Sequence, residues 1–154
     1  MSQLPSKRRM LDTAKQMLRG EAPPPPIAQL IGLTAKVIEP GHTVFELDVS
    51  ERHHNPMGTL HGGVYCDLAD AAMGYAYAAT LQEGERFTTI ELKINFLKAV
   101  TRARLVAEAR LVSAGRTIGY VECDVRDDSG RLVARAASTC MTLREKPANS
   151  GTTS

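Results

Sequence analysis

Seventeen consecutive residues, Val64 to Thr80, carry only two charges, Asp67 and Asp70. Alanine, methionine and leucine are frequent and no proline interrupts the run, which predicts a helix. Apolar side chains fall on every face of that helix, so it belongs in a core and the rest of the chain has to wrap it. An aspartate inside such a helix costs desolvation energy unless it is paired, hydrogen-bonded or open to a pocket. Asp70 is therefore the first residue to examine for chemistry. Asp67, three residues earlier, is expected near the helix start, where a carboxylate favours the positive end of the helix dipole.

The wrapping material is legible on both sides. From Gly32 onward the pattern alternates, predicting strands over Leu33–Ile38 and Thr43–Val49 joined by a turn at Glu39-Pro40-Gly41-His42. After the helix, strands are expected over Thr88–Leu97, Ala103–Val112, Thr117–Arg126 and Leu132–Leu143. The connections Ser113–Arg116 and Asp127–Gly130 are short, which makes the last strands antiparallel neighbours. One apolar helix and one antiparallel sheet of about six strands satisfy each other if the sheet curls around the helix, an α+β arrangement. Ahead of this domain, Ser6–Arg19 reads as an amphipathic helix, with Gly20 and the prolines Pro23 to Pro26 forming an extended linker. The expected division is residues 1–26 for helix and linker, 27–143 for the domain, and 144–154 for a disordered polar tail.

Totals exclude several classes. With 19 basic and 17 acidic residues the net charge is +2, too balanced to indicate nucleic acid. The three cysteines, Cys66, Cys123 and Cys140, have no metal-ligand spacing and point to reduced thiols in a cytoplasmic setting. His53 and His54 lack a second ligand cluster, so no metal is expected. The first twenty residues contain no apolar signal region, and the longest apolar run is too short for a membrane span.

The loop and helix start read Asn55-x-x-Gly58-x-x-His61-Gly62-Gly63, with Asp70 seven residues on and Thr89-Ile90-Glu91-Leu92-Lys93-Ile94-Asn95-Phe96 after it. This combination resembles the hot-dog-fold acyl-CoA thioesterases of the phenylacetate-degradation type, which are similar to one class of 4-hydroxybenzoyl-CoA thioesterases. The resemblance covers roughly Gly32 to Leu143 as an order of elements, and its motifs lie in Asn55–Asp70 and Thr88–Phe96. It implies a hot-dog fold that hydrolyses an aromatic or medium-chain acyl-CoA to acid and coenzyme A, with coenzyme A as part of the substrate and no further cofactor. It also implies a homodimer with shared active sites, often a dimer of dimers.

The residues support the chemistry independently. A thioester carbonyl becomes electrophilic when donors surround its oxygen, and the free N–H groups of a helix start supply them. Gly62 and Gly63 leave that approach open. Asp70 lies roughly 10 Å along the axis from Gly63 at 1.5 Å per residue, too far to serve a carbonyl held at its own helix start. By resemblance Asp70 is the nucleophile or general base, Gly62 polarises the carbonyl, Asn55 orients the carbonyl or the water, and Thr89 helps hold the water. His61 and Gly63 are read as substrate-binding, Gly63 because it leaves the helix start open; His61 also shapes the loop by hydrogen bonding, with a general-base role as its lesser alternative. Met73, Gly74 and Tyr77 lie on the Asp70 side at three, four and seven residues, where they line an acyl pocket or form plain core. Cys66 is read as small core packing. Lys98, Arg102 and Arg116 at strand ends are the cations available for coenzyme A phosphates. The alternatives are a hot-dog enoyl-CoA hydratase or dehydratase, whose usual catalytic histidine is not placed on this helix, and a non-enzymatic acyl-CoA-binding protein, which would carry a DNA-binding module.

Overall fold

The computed structural model of the protein describes residues 10–144. The apolar run is indeed a helix, α3, spanning Gly62–Ala78. It begins two residues before the expected start because His61 caps it, the imidazole Nδ1 accepting the Gly63 N–H at 2.9 Å. Six strands surround it: β1 (Leu33–Glu39), β2 (His42–Asp48), β3 (Arg86–Phe96), β4 (Arg104–Ala114), β5 (Ile118–Arg126) and β6 (Leu132–Leu143). They form one antiparallel sheet in the order β1-β2-β4-β5-β6-β3. The chain leaves β2, threads α3 through the middle, and places β3 at the far edge before returning to β4.

Packing explains why α3 tolerates so little polarity. Leu68, Ala69, Ala72, Met73 and Ala76 are fully buried against the inward faces of the strands, where Leu105, Ala107, Val121 and Val125 are equally enclosed. Small alanines let helix and sheet approach closely, and the strands' outward residues are charged and paired, as in Arg135 with Asp124 at 2.6 Å. Close approach is tightest at Gly119, where a Cβ would lie 2.2 Å from the Tyr77 ring.

The amino-terminal segment is less separate than a linker reading implies. α1 (Met10–Leu18) packs its apolar face on β1 and α3, burying Ala14, while residues 6–9 of the expected helix lie outside the described residues. Pro26 opens a second short helix, α2 (Pro26–Ile31), which Gly32 terminates in the left-handed region at φ 91°. That helix replaces part of the expected linker and the start of the expected domain. The expected tail at 144–154 falls, apart from Arg144, outside the described residues.

Candidate active site

Two strips of α3 are only partly covered, one at each edge of the sheet. One carries Gly63, Asp67 and Asp70, on the β3 side; the other carries Ala71 and Tyr75 and faces α1 and β1. On the first strip the Thr89 hydroxyl of β3 donates to Asp70 Oδ1 at 3.3 Å. The strand presents Thr89 there because of a bulge. Pairing with β6 jumps from Thr89 to Glu91, leaving Ile90 as an extra residue. Phe87 and Thr89 face the helix before the bulge, and Leu92 and Ile94 lean inward after it. A single alternating register would not have served both sets.

Asp70 is open to solvent as a whole, yet enough protein surrounds its carboxyl for burial to raise its pKa above the ordinary carboxylate value. The Thr89 hydrogen bond opposes that rise and the Asp67 charge adds to it. Burial raises Asp67 as well. Because α3 begins at Gly62, Asp67 is its sixth residue and lies past the first turn, so the expectation that it serves the helix start is corrected. It shares the open flank with Asp70 instead.

At the start of α3 the two glycines differ. The Gly63 N–H is taken by His61 Nδ1, whereas the Gly62 N–H has no acceptor among the described residues. A Cβ on Gly62 would come within 3.0 Å of the Phe96 ring, so glycine keeps that ring beside the helix end. Asn55 closes its own loop: its Oδ1 accepts from the Met57 and Thr59 N–H groups at 2.9 and 3.2 Å, and its Nδ2 donates to Thr59 Oγ1 at 3.0 Å. Its side chain thus fixes the turn that leads into His61. His53 and His54 hold the same region. Nδ1 of His53 accepts from the Ser50 N–H, and Nε2 meets the Ile31 carbonyl at 2.8 Å; Nε2 of His54 meets the Thr101 carbonyl at 2.7 Å.

Of the residues expected along the Asp70 side, Met73 and Tyr77 are 0% and 2% exposed and pack inside the chain's own core. The Tyr77 hydroxyl is engaged by Thr142 Oγ1 at 2.7 Å. Gly74 lies under Phe87. Cys66 is half-buried, and burial pushes its thiol upward, away from reactivity. The cations divide. Lys98 and Arg102 flank Val100, whose carbonyl holds Leu60 just before the start of α3, whereas Arg116 sits at the β4–β5 turn beside the far end of α3.

An apolar cavity of about 290 Å³ opens along the second strip, between α3 and the α1–α2 segment. Nothing in the sequence singled it out, because much of its wall comes from the segments read as linker and amphipathic helix. No group of three or more potential metal ligands lies together among the described residues. None of the described helices is long and apolar enough to cross a membrane.

Comparison with known proteins adds to this geometry. Residues 57–134 match the family model of the Thioesterase superfamily. A phenylacetic acid degradation-related protein of Ralstonia eutropha JMP134 is 32% identical; the match covers 82% of this chain and 97% of that one, with a TM-score of 0.76. The 1,4-dihydroxy-2-naphthoyl-CoA hydrolase of Listeria monocytogenes is 26% identical over 78% of this chain and 98% of its own length. Human acyl-coenzyme A thioesterase 13 is 28% identical over 65% of this chain and 72% of its own.

Proposed function

The chain belongs to the thioesterase superfamily, and from that premise we propose that it hydrolyses an aromatic or medium-chain acyl-CoA, with Asp70 as the nucleophile or general base. The observation that carries this reading is the Asp70 carboxyl itself, kept on the open flank of an otherwise apolar helix and met by the Thr89 hydroxyl at 3.3 Å. A carboxylate whose pKa burial has raised is a stronger base than one in water, which suits proton abstraction from water or attack on a carbonyl. The Gly62 N–H at the positive end of α3 supplies the donor for the oxygen that gains charge.

These two groups belong to different copies of the chain in this proposal. Gly62 and Asp70 are eight positions apart, roughly 12 Å along the axis. A thioester bond cannot span that distance. β3 offers the edge for a second copy: Ile90, Phe96 and Leu97 are 55%, 53% and 47% exposed, while the opposite edge, β1, has α1 and α2 against it. A two-fold pairing through β3 produces two equivalent sites, each with Asp70 from one copy and Gly62 from the other, and such pairs associate further into a dimer of dimers. In this proposal the coenzyme A phosphates are met by Lys98 and Arg102, which flank the Val100 carbonyl bound by Leu60 just before α3.

The test is incubation with acyl-CoAs from acetyl to dodecanoyl and with phenylacetyl-CoA, following free thiol. Turnover of medium or aromatic thioesters supports the proposal. Binding without thiol release contradicts it and favours the acyl-CoA-binding alternative; hydration of an enoyl-CoA favours the hydratase.

A further inference from the structure

We propose that the cavity between α3 and the α1–α2 segment holds the acyl group, and that this amino-terminal segment sets the acyl length the protein accepts. The inference rests on the thioesterase reading and assigns its acyl site.

Four observations lead to it. The cavity measures about 290 Å³ and is walled chiefly by apolar groups, among them Met17, Leu18 and Ile27 from the amino-terminal segment and Ala35, Phe45 and Tyr75 from the domain. The Phe45 and Tyr75 rings form one wall, their centroids 5.3 Å apart. Ala71 belongs to the lining and directly follows Asp70, so the cavity floor and the carboxylate are neighbours about 100° apart around one helix. The other positions on the Asp70 side that could have taken an acyl group, Met73 and Tyr77, are already filled core.

Size then defines the ligand. A dry, apolar cavity of roughly 150 Å³ accommodates benzene. At about 290 Å³ the space suits an unbranched acyl group of about eight to twelve carbons or a two-ring aromatic acyl group. Thr34 and the Tyr75 hydroxyl bring polar groups to the lining, the hydroxyl's partner among the described residues being the weakly accepting Met17 sulfur at 3.9 Å. More than half of the lining, from Met17 to Ala28, comes from the amino-terminal segment, so that segment bounds the space available to the acyl group.

The experiment uses the full chain and two variants of opposite effect, read as ratios of kcat/KM between acyl-CoAs. Ala35→Phe adds a ring that fills about a third of the cavity and excludes roughly four methylenes. At about fourfold per buried methylene, the octanoyl-to-acetyl ratio should fall by ~10²-fold. Met17→Ala enlarges the space, and the dodecanoyl-to-octanoyl ratio should rise roughly tenfold. Unchanged ratios in folded variants, with the parent active, overturn the acyl-site proposal and leave the thioesterase reading standing. Where Ala35→Phe fails to fold, the Met17→Ala ratio decides alone. A parent that releases no thiol from any acyl-CoA overturns the thioesterase reading and this proposal with it.

Discussion

Thr89→Val is the sharpest probe of how the sheet tunes the carboxylate. The substitution keeps the branched shape on β3 and removes one hydroxyl, so the bulge and the pairing with Cys140 remain. What disappears is the donor to Asp70 Oδ1. At 3.3 Å it is a long contact, so its contribution falls below the range of about 1.5–3 kcal/mol for hydrogen bonds to charged groups, at about 1 kcal/mol. If that energy is lost from a transition state using ionised Asp70, kcat/KM on the high-pH plateau falls about fivefold. The direction of the pH effect is fixed by the chemistry. The hydroxyl favours the ionised carboxyl, so without it the Asp70 pKa rises further above its ordinary value. Activity that needs the ionised form is lost as pH falls through that pKa, so the acid limb of the pH–rate profile moves to higher pH. Thr89→Ser, which retains the donor, should return the limb towards the parent position. A limb that stays in place or moves to lower pH in folded Thr89→Val refutes the assigned contact.

Three further outcomes follow from the packing, the charges and the proposed assembly. Gly119→Ala places a Cβ 2.2 Å from the Tyr77 ring and forces it off its bond with Thr142; overpacking of about 1–3 kcal/mol plus about 1 kcal/mol of hydrogen bond should lower Tm by roughly 5–15 °C. A melting curve within 2 °C of the parent would contradict this packing. Burial raises both Asp67 and Asp70, so the folded state holds their protons more tightly than the unfolded chain. Stability therefore falls as pH rises from the ordinary carboxylate pKa through the raised ones, and Asp67→Asn should raise Tm at pH 7 but not below pH 4. The reverse pattern would mean that the Asp67 charge stabilises the fold. If sites are shared, Asp70→Asn and Asn55→Ala subunits refolded together should recover roughly a quarter of parental activity, because random mixing makes half the dimers mixed with one intact site each. Activity remaining at the single-variant level, with mixed dimers demonstrated by mass spectrometry, would place both residues in one chain's site.

The central helix and its sheet were legible because composition and periodicity report burial directly. The unbroken apolar run defined α3 to within two residues, and its start was missed because the cap is His61 rather than serine, threonine or aspartate. The misreading of Asp67 as a helix-start residue came from that same offset. Short turns identified β4, β5 and β6 as neighbours, but nothing local to β3 announced that it would cross to the far edge beside β6. Its bulge at Ile90 was equally hidden, since a skipped residue looks like ordinary alternation until the partner strand is known. α2 was obscured by four consecutive prolines, though Pro26 at its first position and Gly32 just beyond its end are the expected punctuation. The Asn55 role in its own turn depends on backbone geometry that no spacing rule specified.

The most direct measurement is the turnover of Asp70→Asn beside Asp67→Asn on the acyl-CoA that the parent hydrolyses fastest. The two carboxyls share one open flank of α3, and the Thr89 hydroxyl is bonded to Asp70. Replacing the carboxylate by an amide keeps the shape and removes both its basicity and its charge. The account predicts a loss in kcat of at least ~10²-fold for Asp70→Asn with a modest change in substrate binding, and thiol release within a few-fold of the parent for Asp67→Asn. Thiol release by Asp70→Asn within a few-fold of the parent, or a deep loss confined to Asp67→Asn, would contradict it.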